Sequence, residues 1–131
     1  MFWVIKMKMQ EKKICLVIGA GAGIGVNVAK KFAVSGYHSV ISRRTNQQGL
    51  DDAVKNIEKE GGSATGFLIN AIEENSIENL IEKVEETIGP IRVAVFNLGS
   101  QIGNRSLNET SEKVFERGWR MATLALFRTA K

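Results

Sequence analysis

Apolar positions follow two alternating rhythms along the chain. Residues 14–18, ICLVI, form a short uninterrupted apolar run, and residues 91–97, IRVAVFN, form a second run that is apolar over 93–96. Helical spacing lies between them. Residues 24–35 put Ile24, Val28, Ala29 and Phe32 on one face, with Lys30 and Lys31 off it. Residues 50–60 line up Ala53, Val54 and Ile57 as a stripe, and Ile77, Leu80, Ile81, Val84 and Ile88 repeat the spacing of an amphipathic helix. The runs 37–42, centred on Val40 and Ile41, and 64–70 read as strands. Gly36, Gly61-Gly62 and Gly89-Pro90 are placed to stop the helices before them. Asn75 and Glu78 have capping-box spacing, residues 43–48 and 99–108 read as loops, and a last helix is predicted from Ser111 to near the end. The order β-α-β-α-β-α-β-α predicts an α/β fold, a doubly wound parallel sheet with right-handed crossovers and helices on both faces.

Composition changes this picture little. A chain of 131 residues fits one domain, and 44% hydrophobic with 24% charged residues is ordinary for a globular protein. Residues 1–12 read as an N-terminal extension without assigned function, and residues 13–131 as the domain. The apolar stretch Phe2, Trp3, Val4 and Ile5 is cut off by Lys6 and Lys8, too short for a signal-peptide core or a membrane span. The net charge of +4 is uneven, with ten acids against three lysines in residues 51–90. That acidic block reads as solvated helix faces, and the basic remainder lacks the aromatic interleaving of a nucleic-acid surface. Neither nucleic acid nor membrane is expected as a partner. Cys15, the only cysteine, excludes a disulfide framework and a thiolate metal cluster, and an inert buried thiol fits a reducing cytoplasm. His38, the only histidine, sits beside Tyr37 in a strand and reads as structural or surface-exposed, so neither a triad nor a zinc site is supported.

The chemistry concentrates in residues 13–25, KICLVIGAGAGIG. A strand runs into alternating glycines and then into a helix start, which is where an α/β fold receives a phosphate. The glycines Gly19, Gly23 and Gly25 match the G-x-x-x-G-x-G pattern of the short-chain dehydrogenases/reductases, which this sequence resembles. Phe96-Asn97-Leu98-Gly99 looks like that family's N-N-A-G segment, with Asn97 and Gly99 kept. Asn70 stands where the family usually has an Asp near the adenine ring, and Phe115, Trp119 and the run to Lys131 look like its fourth helix. The resemblance covers about residues 12–131 and implies strand order 3-2-1-4 in a Rossmann-type sheet that is truncated relative to the family. It implies cofactor contacts from Gly19, Gly21, Ala22, Gly23, Ile24 and Gly25, with Asn70, Asn97 and Gly99 beside them. Two plainer readings stay open: Gly99 as a turn glycine, and Asn97 as a loop-capping side chain.

An acid usually ends the second strand where NAD is held, but this chain has Ser42-Arg43-Arg44. Guanidinium groups can engage a 2′-phosphate that a carboxylate would repel, and Ser42 offers one more donor. NADP is therefore expected over NAD. The family's catalytic Ser and Tyr-x-x-x-Lys have no counterpart here: Tyr37 is the only tyrosine, Ile41 follows it at i+4, and the fourth-helix Asn falls at about Ala122. No catalytic residue is assigned. The expectation is an NADP-binding, oxidoreductase-like chain that is catalytically incomplete as it stands. A non-catalytic dinucleotide module or partner subunit, and a truncated non-functional reading frame, are the alternatives. The uncharged centre of the fourth strand and the apolar residues Phe115, Trp119, Met121, Leu124, Leu126 and Phe127 point to a homo-oligomer through the last helix or to a missing C-terminal half.

Overall fold

A computed structural model describes residues 11–99 and 104–131. Most of the proposed N-terminal extension, residues 1–10, and the middle of the 99–108 loop, residues 100–103, lie outside the described residues. Four parallel strands, β1 (Ile14–Ile18), β2 (His38–Arg43), β3 (Ser63–Leu68) and β4 (Ile91–Phe96), form one sheet in the order β3-β2-β1-β4. The predicted α/β class and strand order 3-2-1-4 hold. Three helices connect them: α1 (Ile24–Val34), α2 (Gln47–Lys59) and α3 (Ser76–Thr87).

Side-chain alternation along β1 divides the molecule into two cores. Cys15 and Val17 face α1 and α2, packing with Ala29, Ala33, Leu50, Ala53 and Ile57. Ile14, Leu16 and Ile18 face the other side and pack with Ile77, Leu80 and Val84 of α3 and with Ala125 of the last helix. Helices on both faces bury all five residues of β1, which explains its unbroken apolarity. His38, on β2, is also buried; its ring nitrogens lie 2.9 Å from Ser63 Oγ and 2.8 Å from Thr65 Oγ1 on β3. That fixes its role as structural. Burial and, secondarily, the charge of Lys12 lower its pKa to about 4.

Helix boundaries bring three corrections. The predicted capping box at Asn75 and Glu78 is absent: Asn75 is the N-cap, but in a left-handed conformation (φ 59°) without a side-chain cap bond. A capping box forms instead at Ser106 and Glu109, around the short 3₁₀ turn Leu107–Glu109. Helix α2 begins earlier than expected because Asn46 Oδ1 accepts a hydrogen bond from Gly49 N–H at 2.8 Å. The predicted last helix runs as α4 (Glu112–Trp119), a π-helical turn (Arg120–Leu124) and α5 (Ala125–Ala130). No helix among the described residues is long and apolar enough to cross a membrane.

Candidate cofactor site

The turn after β1 is stitched to both neighbouring strands. Gly19 N–H and Ala20 N–H donate to the Ser42 carbonyl at 3.1 and 2.7 Å, tying the turn to β2. Across the sheet, Asn97 N–H donates to the Ile18 carbonyl at 2.8 Å, and Asn97 Nδ2 donates to the Gly19 carbonyl at 2.9 Å. Asn97 thus holds the turn from the β4 side.

The glycines serve two different purposes. Gly19 has φ +93°, and a Cβ there would lie 2.7 Å from the Asn97 carbonyl oxygen. At Gly25 a Cβ would lie 2.5 Å from the Gly19 carbonyl oxygen and 3.0 Å from Asn97 Nδ2. These two are demanded by the fold itself, through close approach of backbone to backbone. At Gly21, Gly23 and Gly99 a Cβ would meet nothing within 4 Å among the described residues. Helix α1 starts directly from this turn with Gly23 as N-cap, without a side-chain cap bond and without an acid in its first turn. Its first N–H groups are accordingly available to an anion, and the helix dipole favours one there. By contrast α2 is capped by Asn46 and α4 by Ser111, and α3 carries Glu78 in its first turn. Ile24, the first residue of α1, is 72% exposed beside the turn.

A crevice opens next to the turn at the carboxyl ends of the strands. Ile18, Ile69, Ala71, Ile72, Leu98 and Met121 form its apolar walls, while Gly19, Ser42, Arg43, Arg44 and Asn70 bring polar groups. It runs across the ends of β1, β2 and β3 and reaches Leu98 after β4, beside the β1–β4 point where the strand order reverses and open α/β sheets bind ligands. Arg43 also lines a groove between α1 and α2 with Ala22 and Asn46, so it stands between the glycine turn and the first turn of α2. Among the described residues, neither Arg43 nor Arg44 takes part in an ion pair. Ser42 departs from expectation. Its side chain is fully buried in the sheet, with the hydroxyl 3.4 Å from the Val17 carbonyl, so its contribution is the carbonyl that holds the turn rather than a hydroxyl aimed outward. β2 is buried on both faces from His38 to Ser42, and accessibility begins only at Arg43, where the strand ends.

Sequence reasoning missed the crevice walls Ile69, Ile72, Leu98 and Met121, because an apolar residue at a loop or helix position carries no chemical signature. It also missed Glu73, whose carboxylate Oε1 accepts from Asn70 Nδ2 at 3.0 Å. The only available signal was the i, i+3 spacing of the two residues. Among the described residues no group of three or more His, Cys, Asp or Glu side chains could hold a metal. Burial pushes the Cys15 thiol up to about 11.

A four-stranded parallel sheet in this order, with a glycine turn leading from β1 into α1, defines a Rossmann-like α/β fold. Residues 13–131 match the sequence pattern of the short chain dehydrogenases, and the chain belongs to that family. It is 33% identical over 87 residues to 2-dehydro-3-deoxy-D-gluconate 5-dehydrogenase of Formosa agariphila, covering 66% of this chain and 33% of that one. A short-chain dehydrogenase from Rhodopseudomonas palustris superposes with a TM-score of 0.82 at 33% identity, over 89% of this chain and 54% of that chain. A variant of actinorhodin polyketide ketoreductase, solved with NADPH, superposes with a TM-score of 0.83 at 26% identity, over 91% of this chain and 45% of that chain. The chain therefore spans about a third of the curated relative's length and about half of the solved structures' length.

Proposed function

We propose that this chain is the cofactor-binding part of an NADP-dependent oxidoreductase. In this reading the pyrophosphate rests on the 19–25 turn and the start of α1, the adenosine enters the crevice, and the 2′-phosphate meets Arg43 and Arg44. One observation carries it. Beside the only helix start that lacks both a side-chain cap and a first-turn acid among α1 to α4, the end of β2 presents two arginines without ion-pair partners among the described residues. Bound there, NADPH would supply a hydride and NADP+ would accept one. The chain's own residues bind and orient it: Gly19 and Gly25 permit the turn, Asn97 and the Ser42 carbonyl hold it, and Asn70 faces the base.

The family's catalytic Ser, Tyr and Lys have no counterparts in residues 13–131, so no proton-transfer role is assigned within this chain. Those groups would come from further chain or from a partner subunit. The exposed Phe115, Trp119, Leu126 and Phe127 favour association, through a second copy or through such a partner. A buried thiol with a raised pKa suits a reducing, cytoplasmic setting. Fluorescence titration with NADPH and NADH tests the reading, alongside assay of carbonyl and alcohol substrates. Tighter binding of NADPH, weakened by Arg43→Ala and Arg44→Ala, and no turnover by the 131-residue protein are expected. Turnover by this protein alone, or equal binding of the two cofactors, contradicts it.

A further inference from the structure

We propose that Glu73 fixes which hydrogen-bonding group Asn70 turns toward a bound base, and that this chain thereby selects adenine over hypoxanthine. The inference rests on the dinucleotide reading above. The crevice walls of Ile18, Ile69, Ile72, Leu98 and Met121 suit a flat heteroaromatic ring, and Arg43 and Arg44 at its mouth place the adjoining ribose. Asn70 lines the same crevice. An amide side chain has a donor end and an acceptor end of nearly equal shape, so its use depends on which end is tied down. Here Nδ2 donates to Glu73 Oε1 at 3.0 Å. A carboxylate only accepts, so the opposite orientation would set two acceptors against each other. Among the described residues Oδ1 accepts no hydrogen bond, which leaves it as the amide's group for the crevice. The exocyclic amine of adenine donates to such an oxygen. Hypoxanthine carries a carbonyl at that position and would be repelled.

The surrounding loop does not depend on the Glu73 side chain. Glu73 N–H donates to the Asn70 carbonyl at 3.0 Å, and Ser76 Oγ donates to the carbonyls of Asn70 and Glu73 at 2.7 and 3.1 Å. Arg128 Nη1 of α5 donates to the Glu73 carbonyl at 3.2 Å. Glu73 itself is exposed, so truncating it removes the orienting carboxylate and spares the core.

The test is fluorescence titration of the full chain with NADPH and with its hypoxanthine counterpart, reduced nicotinamide hypoxanthine dinucleotide phosphate. The wild type should bind the adenine form on the order of tenfold more tightly, the worth of one well-placed hydrogen bond against a repulsive pair. Glu73→Ala frees Asn70 to turn its nitrogen inward and should bring the ratio to within about twofold. Glu73→Lys replaces the acceptor by a donor and should reverse the preference. Circular dichroism verifies folding of each variant. An unchanged ratio in E73A and E73K overturns the role of Glu73 and leaves the NADP reading standing. Absence of NADPH binding, or an unchanged ratio in Asn70→Ala, overturns the base contact itself and this inference with it.

Discussion

β1 and β4 lie side by side and both read as apolar strands, yet their surroundings differ. All five residues of β1 are buried, whereas Arg92 and Ala94 of β4 are exposed and its other residues only half-buried. β1 is flanked by β2 and β4, but β4 pairs with β1 alone among the described strands. The helical segment beside β4 repeats the contrast, with Phe115 at 65% and Phe127 at 62% exposure while Ala125 is fully buried. Burial is therefore set by what neighbours a strand, and composition alone does not reveal it. The glycine turn grows from the enclosed side and is anchored by Asn97 from the open one.

The contrast can be broken most forcefully at Gly25. Gly25→Ala drives a Cβ into the Gly19 carbonyl oxygen at 2.5 Å, where backbone has to move. A loss of about 3 kcal/mol or more is expected in denaturant unfolding, together with loss of NADPH binding. Gly23→Ala sharpens the point, because its Cβ meets no protein atom within 4 Å. Stability should change by less than about 1 kcal/mol while NADPH affinity falls by at least about tenfold, since in the proposed binding mode the added methyl enters the space of the pyrophosphate.

The next effect concerns the β2–β3 side. The His38 pKa is lowered from 6.5 to about 4 in the folded protein, so between those values the unfolded chain binds more protons. Stability is then full above pH 6.5 and declines as the pH falls toward 4, by up to about 3 kcal/mol. Urea midpoints across that range measure it, and His38→Asn should flatten the slope. A wild-type midpoint independent of pH there would remove the imidazole from the account.

The smallest change in stability is expected on the open side. Trp119→Ser and Phe127→Ser, at 47% and 62% exposure, should shift folding by less than about 1 kcal/mol. Sedimentation velocity should nevertheless show weaker self-association. If either variant unfolds the protein, the aromatic face is core rather than contact surface.

Much of the fold was legible because periodicity carries it. The strand order followed from β1, the glycine turn and the family resemblance, and the helical stripes of Ile57, Ile77 and Val84 are buried as their spacing requires. Ser42 was misjudged because β2 stays buried on both faces up to its last residue but one, and residue type does not mark where the strand ends. The capping box moved from Asn75 to Ser106 because a cap depends on local backbone conformation as well as residue type. The π turn at Arg120–Leu124 left no mark in the sequence pattern, since it alters hydrogen bonding without altering composition. The Asn70–Glu73 pair stayed hidden because i, i+3 polar spacing is common in loops and few such pairs face a crevice.

The central claim is that the glycine turn and the two arginines after β2 form one site for a 2′-phosphorylated dinucleotide. Calorimetric titration of the 131-residue protein with 2′,5′-ADP and with 5′-AMP isolates that phosphate most directly. The account expects 2′,5′-ADP to bind at least about tenfold more tightly, with the advantage lost when Arg43 and Arg44 are both changed to Ala. Equal affinity for the two nucleotides, or an advantage that survives the double substitution, contradicts it.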